Sequence, residues 1–212
     1  MLRQPLENGQ VTISRAHSTV TYPAKFILLA EMNPCPCGYA GAIDKYCTCS
    51  TQQIRSYQNR VSGPILDRIN ILLTLVPEKL NRSMSGEETS ETIRMRVMKA
   101  RKIQFARYGR SISNARVAFK ELIQSSPLTS KQQEFLQTIS AKEALSNRVQ
   151  IKMIRVARTI SDLNEEERIS DLALEEALSY RKVSGRLTNQ RELLLSEKKD
   201  RETYAKTSEE KE

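Results

Sequence analysis

The sequence predicts a mixed fold, with a partial α/β core first, an all-α domain after it, and a charged tail. Two β-branched runs, Val11–Ser14 and Ser18–Tyr22, lie on either side of a short polar tip and predict a β-hairpin. Two further apolar runs, Phe26–Met32 and Ile71–Val76, are continuous rather than alternating, as strands buried on both faces are. From Glu91 onward the apolar residues recur at helical spacing, first along Ile93, Val97, Ala100 and Ile103 and later along Val149, Met153, Val156, Ile160 and Leu163. Helix caps are expected at Thr51, Thr129, Ser146 and Ser170.

The same patterns divide the chain into four predicted segments. Residues 1–78 are expected to form the α/β core, with a hairpin, two core strands and a Cys-rich insert. Residues 79–90 are polar and contain Gly86, which predicts a linker. Residues 91–184 are expected to form the helical domain, and residues 185–212 a charged, disordered tail.

Composition limits the classes of partner and compartment. The chain has 212 residues, a formal net charge of +9 and a sequence pI of about 9.5, which suggests contact with a polyanion such as nucleic acid. A solvated surface with surplus lysines is the alternative. Apolar runs fall short of the roughly 20 residues of a membrane span, and the first ten residues lack a signal-peptide core. A cytoplasmic protein without membrane contact is the expectation.

The four cysteines form two Cys-x-Cys pairs, Cys35/Cys37 and Cys47/Cys49. Cytoplasmic cysteines rarely form disulfides, and four thiolates can satisfy the tetrahedral coordination of zinc. The Cys-x-Cys spacing is tighter than the usual Cys-x2-Cys of zinc knuckles. Two interpretations stay open: a structural zinc site, or four reduced thiols in a half-exposed loop.

Several longer words in the sequence carry a family resemblance. They are SRAHSTVTYPAKF, AEMNPCPCGYAG, YCTCSTQQIRSYQNRVSGPILDRI and VARTISDL. Together they resemble the YifB/ComM group of magnesium-chelatase-like AAA+ ATPases, over roughly Leu2–Lys182 and in the second half of that family only. The resemblance implies the last part of an AAA+ α/β core followed by a helical lid of four or five helices.

The resemblance also implies roles for individual residues. Asn33 matches the sensor-1 residue, which hydrogen-bonds the γ-phosphate or the attacking water. Arg68, after Gly63-Pro64, matches the arginine finger that enters a neighbouring subunit's ATP site, and Arg148 matches the sensor-2 arginine. Asn33 and Arg148 would act on one ATP and Arg68 on the neighbour's. Asn70 stands where this family usually has Asp, so one carboxylate near the arginine is missing.

The family's phosphate-binding motifs are missing from this sequence. It contains neither a G-x-x-x-x-G-K-[ST] loop nor an apolar strand ending in the acidic pair that holds Mg²⁺. We therefore expect the chain alone to be inactive. ATP and Mg²⁺ would act only in a completed enzyme, a hexameric ring in which a separate polypeptide carries the Walker motifs.

The expected function is the C-terminal portion of an ATPase of the DNA branch-migration helicase kind. The hairpin would face the central pore, with Arg15 and His17 near its tip in contact with DNA; an ordinary surface hairpin is the alternative. A second hypothesis is a zinc-stabilised helical protein that binds nucleic acid without nucleotide. A third is a relic without a stable fold, because a half sheet leaves an open apolar edge.

Overall fold

The chain divides into two compact units. The computed structural model describes residues 2–42, 45–75 and 88–181. The first unit comprises Met1–Leu66, Thr74–Pro77 and Lys182–Glu212, and the second comprises Asp67–Leu73 and Glu78–Arg181. The predicted tail lies outside the described residues, as does the predicted linker except for its last three residues.

The first unit is built around the predicted hairpin. Helix α1 (Arg3–Asn8) ends at Gly9, whose φ of +66° places it in the left-handed region that glycine adopts readily. Strands β1 (Gln10–Arg15) and β2 (Ser18–Pro23) then pair antiparallel, in register from Gln10–Pro23 to Arg15–Ser18. Helices α2 (Thr51–Gln58) and α3 (Gly63–Leu66) follow later in the unit. The predicted hairpin is therefore confirmed.

The two faces of the hairpin differ in chemistry because side chains alternate along each strand. One face carries the cross-strand pairs Val11–Tyr22 and Ile13–Val20. The other face carries hydroxyls that bond across the strands, Thr12 to Thr21 at 3.0 Å and Thr19 to Ser14 at 3.1 Å.

The two segments predicted as core strands are not paired into a sheet, which corrects that part of the prediction. Within the described residues the only sheet is the two-stranded β1–β2 hairpin. Ile27 is 90% exposed and Leu29 92% exposed, while Leu75 is 86% exposed. A parallel strand needs neighbouring strands for its hydrogen bonds, and the described residues supply none for these segments. The apolar patterns are those of buried strands, but no strand among the described residues pairs with them.

The cap of helix α2 lies one residue earlier than predicted. Thr51, the predicted cap, is the first residue of the helix, and Ser50 is the cap because its side chain accepts a hydrogen bond from the Gln53 N–H. Gln53 returns a bond from the Ser50 N–H, which completes a capping box directly after Cys49.

The second unit is helical, as predicted, and its described part holds five helices. They are α4 (Ser90–Tyr108), α5 (Phe119–Ser125), α6 (Ser130–Lys142), α7 (Asn147–Leu163) and α8 (Asp171–Ser179). The predicted caps Thr129, Ser146 and Ser170 each accept a backbone hydrogen bond at their helix start. A hairpin-bearing first part followed by a helical domain is thus the fold of the chain.

The hydrophobic core of the second unit is centred on α7. Four residues of its predicted stripe, Val149, Met153, Val156 and Ile160, are buried and belong to one cluster with α8, whereas the fifth, Leu163, is half-buried. Helix α4 follows the prediction in part: the predicted Ala100 is buried, together with Gln104 and Tyr108, whereas the predicted core residues Ile93 and Val97 are more than 40% exposed. Only the second half of α4 therefore packs on the core.

Candidate functional site

The four cysteines, which lie in two separate sequence pairs, meet at one point of the first unit. Their Sγ atoms all lie within 4.8 Å of one another. The closest pairs are Cys35–Cys37 at 3.3 Å, Cys37–Cys47 at 3.5 Å and Cys35–Cys47 at 3.7 Å. A tetrahedral zinc with Zn–S bonds of about 2.3 Å requires Sγ–Sγ edges of about 3.8 Å. The donor set therefore fits a tetrahedral zinc ion.

Local turns bring the pairs together. Gly38, with a φ of +82°, closes a tight turn in which its N–H bonds to the Cys35 carbonyl oxygen at 3.0 Å. The Ala40 N–H points at the Cys35 sulfur at 3.3 Å, and Gln58 of α2 donates to the Pro34 carbonyl oxygen at 3.0 Å. Backbone and helix α2 thus hold the cysteine loop on both sides. Asp44, predicted to help the loop fold back, lies outside the described residues.

The thiols differ in acidity because they share protons and hydrogen bonds. The backbone N–H of Tyr39, with help from the neighbouring thiols, lowers the pKa of Cys37 to about 6. The pKa of Cys47 is raised to about 12: although the Cys49 backbone N–H acts to lower it, desolvation and the sulfurs of Cys37 and Cys35 prevail. A thiol with a lowered pKa releases its proton to a metal ion more readily, since the thiolate is the ligand.

The cysteine cluster is also the only fully buried point in the described part of the first unit. Cys35 has 0% exposure, and every other described residue of that unit is at least partly exposed. Small units without an apolar core usually need a staple such as a metal or a disulfide. The cysteines are free thiols, so a disulfide does not serve here.

The remaining predicted site residues of the first unit are at its surface. Asn33 is exposed and precedes Pro34 at the start of the cysteine loop. Arg15 ends β1, and His17 occupies the turn before β2, so both lie at the hairpin tip as predicted. Their contact with phosphate or DNA stays a prediction.

Arg68 belongs to the second unit, together with Arg148. The segment that carries Arg68 is pinned to α7 by Lys152, whose Nζ donates to the Arg68 carbonyl oxygen at 2.6 Å and also to Asn70 Oδ1. Two further hydrogen bonds hold the same segment against the residues that follow α8. The Leu72 N–H donates to the Tyr180 carbonyl oxygen at 2.8 Å, and Arg181 donates to Ile69 O at 2.5 Å. The predicted arginine finger is therefore attached to the helical unit.

Arg148 and Lys152 lie one turn apart on α7 and share a face with Arg155. The pKa of Lys152 is lowered to about 8, first by desolvation and then by the charges of four arginines, which are Arg181, Arg155, Arg148 and Arg68. The two predicted phosphate-binding arginines of this unit therefore belong to one cationic cluster, defined here as Arg68, Arg148, Lys152, Arg155 and Arg181.

Two family descriptions match consecutive parts of the chain. Magnesium chelatase, subunit ChlI, matches residues 1–83, and magnesium chelatase, subunit ChlI C-terminal, matches residues 87–181. The chain belongs to the magnesium chelatase ChlI family. The two matched regions are separated by residues 84–86.

Relatives within the family include ComM and YifB proteins. Competence protein ComM of Haemophilus influenzae is 42% identical over 184 residues, which are 85% of this chain and 35% of the relative. YifB of Escherichia coli, described as uncharacterized, is 37% identical over 197 residues, 91% of this chain and 38% of the relative. An uncharacterized Mycobacterium tuberculosis protein is 32% identical over 191 residues, 87% of this chain and 37% of the relative. The chain thus spans little more than a third of each.

The resemblance word VARTISDL has a structural role in this family member. Its Arg158 and Asp162, both fully buried, form an ion pair at 3.0 Å. Asp162 also accepts hydrogen bonds from Arg107 and from Asn114 Nδ2, the latter at 2.7 Å. Arg158 further donates to the carbonyl oxygens of Glu166 and Glu167. One carboxylate therefore offsets two arginines inside the helical unit.

Sequence reasoning missed Lys152 and Asp162. Arg148, Lys152 and Arg155 follow each other at i, i+4 and i+7, a helical spacing that marks one face of α7. Arg158 and Asp162 likewise lie at i and i+4. Both signals were present, but neither spacing indicates which distant segment the side chains contact.

Within the described ranges, every helix is either too short or too polar to cross a bilayer.

Proposed function

We propose that this chain supplies the sensor and arginine-finger elements of an ATP-driven ring that acts on DNA. The observation that carries the proposal is the cationic cluster of the helical unit. It joins Arg68 and Arg148, the arginine-finger and sensor-2 candidates, through the Lys152 side chain. Guanidinium groups stabilise the charge that develops on a transferring phosphoryl group.

In this proposal Asn33 and Arg148 contact one ATP and Arg68 contacts the ATP of a neighbour in a hexamer. The phosphate-binding loop and the Mg²⁺-holding elements are not among these 212 residues and would be supplied from outside them. The exposed apolar side chains of Phe26–Met32 support it, because a buried strand with its partners removed has this character.

The test is reconstitution. The chain is mixed with a polypeptide that corresponds to the part of Haemophilus influenzae ComM outside the 184 matched residues, and ATP hydrolysis is measured with and without DNA. We expect turnover from the mixture and none from the chain alone. Robust ATP hydrolysis by the chain alone would contradict the proposal.

Variants assign the roles. Arg68→Ala and Arg148→Ala should each lower kcat of the mixture by about a hundredfold or more, as arginine-finger losses do. Arg116→Ala, at an exposed position of the same unit, is the matched control and should retain activity. Mixing Arg68→Ala with wild-type chain should give activity that depends on the fraction of each, since this arginine would act on a neighbour.

Zinc is the second part of the proposal. We infer that Cys35, Cys37, Cys47 and Cys49 bind one structural Zn²⁺, which stabilises the first unit in place of an apolar core. All four ligands come from the protein, so the ion has no open coordination position for catalysis.

The alternative function is nucleic-acid binding without nucleotide. The exposed basic residues of α4, Arg94 and Lys102 among them, favour it. DNA binding by the chain alone, falling steeply with salt and unchanged by ATP, would support this alternative. The hairpin-tip variant Arg15→Ala, beside Arg94→Ala, would show which surface contacts the phosphates.

A further inference from the structure

The ammonium group of Lys152 has one hydrogen-bond donor to spare. A lysine carries three N–H donors, and two of them go to Arg68 O and Asn70 Oδ1. Both acceptors are neutral oxygens, so neither offsets the charge of the lysine. Lys152 is half-buried, where a cation normally has an anionic partner.

The surroundings of Lys152 are rich in positive charge. Arg68 approaches from the pinned loop, Arg148 and Arg155 from α7, and Arg181 from the end of α8. Asp67 acts on Arg181, where its charge opposes the lowering of the pKa by desolvation. Arg155 donates to the Asn114 carbonyl oxygen and Arg181 to Ile69 O. The positive field that these arginines create at Lys152 attracts a multivalent anion.

We propose that Lys152 is a second phosphate-binding cation beside Arg148 on α7 and, through its two hydrogen bonds to the Arg68–Asn70 segment, the residue that positions Arg68. The inference rests on the proposed function and names a new residue for the phosphate site of Arg148. The ligand class is a polyphosphate chain. The spare N–H donor of Lys152 goes to a phosphate oxygen, while its other donors hold the loop.

Asn70 is central to this arrangement. A carboxylate at this position would neutralise Lys152 and compete with the phosphate for it. The neutral amide instead accepts a hydrogen bond and leaves the charge of the lysine available to the ligand.

Inorganic tripolyphosphate is the probe, and isothermal titration calorimetry on the full chain is the measurement. Lys152→Met should weaken binding about tenfold, the size expected for loss of one charge-assisted hydrogen bond. Lys120→Met, at an exposed position on α5, is the matched control and should bind as the unchanged chain does. Lys152→Arg should restore most of the affinity, because the charge and the donors return.

Acidity supplies a readout that a purely structural lysine would not give. Because the pKa of Lys152 is about 8, the affinity should fall as pH rises from about 7 to about 9. Lys152→Arg should lose this component, since a guanidinium stays charged, and the titration of the probe itself cancels in that comparison.

Asn70→Asp keeps the protein testable if Lys152→Met does not fold. The new carboxylate should also weaken tripolyphosphate binding, by about tenfold. Unchanged affinity in Lys152→Met, or in Asn70→Asp if the former is unfolded, overturns the inference. If Arg68→Ala and Arg148→Ala weaken binding while the Lys152 variants do not, only this inference fails. If none of the four weakens it, the proposed phosphate site itself fails.

Discussion

Lys152 donates a hydrogen bond from its Nζ to the carbonyl oxygen of Arg68, 2.6 Å away and 84 positions earlier in the chain. This bond fastens the Arg68 segment to the helix that carries Arg148. A shift of α7 would therefore be transmitted to the backbone of Arg68 directly. The position of the Arg68 segment and the position of α7 are therefore set together.

The acidity of Lys152 can be measured directly. We expect its side chain to titrate near pH 8, well below the ordinary lysine value of 10.5, because of desolvation and four neighbouring arginines. Nuclear magnetic resonance of the labelled lysine Cε carbon would report this. Asn70→Asp should raise the value, and Asn70→Ala should not. Titration of Lys152 together with the surface lysines would contradict the structure.

The same shift gives the stability a pH dependence of known sign. Between about pH 8 and pH 10.5 the unfolded chain binds more protons at this lysine than the folded chain does. The contribution of Lys152 to the free energy of unfolding therefore rises with pH across that window. Lys152→Met should abolish this component, as measured by denaturant unfolding at several pH values.

Asp162 should be the most sensitive position of the helical unit. Asp162→Asn removes the charge that offsets the buried Arg158 and Arg107, and should lower the free energy of unfolding by about 3–5 kcal/mol. Urea unfolding followed by circular dichroism measures it. Glu165→Gln is the control: it breaks an exposed pair with Lys99 and should cost less than about 1 kcal/mol. Equal losses in both variants would contradict a special role for Asp162.

Metal content tests the cysteine cluster. Native mass spectrometry of the full chain should give one zinc per molecule, and chelation should lower the melting temperature of the first unit. Cys35→Ser should remove the ion, whereas Thr48→Ser, between two ligands, should retain it. Acidification should release the metal because protons compete for the thiolates. Four thiols that react freely in the native chain, without bound metal, would refute the site.

Substitutions in the exposed apolar segment Phe26–Met32 can separate an effect on the stability of the chain from an effect on its assembly into the reconstituted mixture. Ile27→Asn combined with Leu29→Asn should leave the melting of the chain unchanged, because both side chains are about 90% exposed. The same double variant should abolish ATP hydrolysis in the reconstituted mixture, where this segment would become a buried strand. Full activity of the mixture would show that the segment does not join a sheet.

Local signals were enough to predict the hairpin, the helical domain and three of the helix caps. The hairpin follows from β-branched runs around a short tip, and Thr129 caps α6 through a bond three residues away. The two core strands could not be predicted correctly, because a parallel strand depends on partners that a single segment does not reveal. The apolar pattern of such a strand indicates only that the strand would be buried in the complete sheet.

The candidate site residues, too, could be predicted where the signal is local and could not be predicted where it depends on a tertiary contact. The cysteines could be recognised as one cluster from residue type alone, and the structure adds the Sγ distances. The attachment of Arg68 to Lys152 could not, because it depends on a tertiary contact across 84 positions. Sequence words identify such residues one by one and leave their neighbours unknown.

The buried Arg158–Asp162 pair affects how a sequence match in this part of the chain is interpreted. VARTISDL has a structural role: its Asp162 accepts a hydrogen bond from Arg107 of α4, and its Arg158 holds the turn after α7. A family member that does not hydrolyse nucleotide would still require these residues to keep its helices packed. A match to this word therefore indicates a shared fold, and is not evidence of catalytic activity.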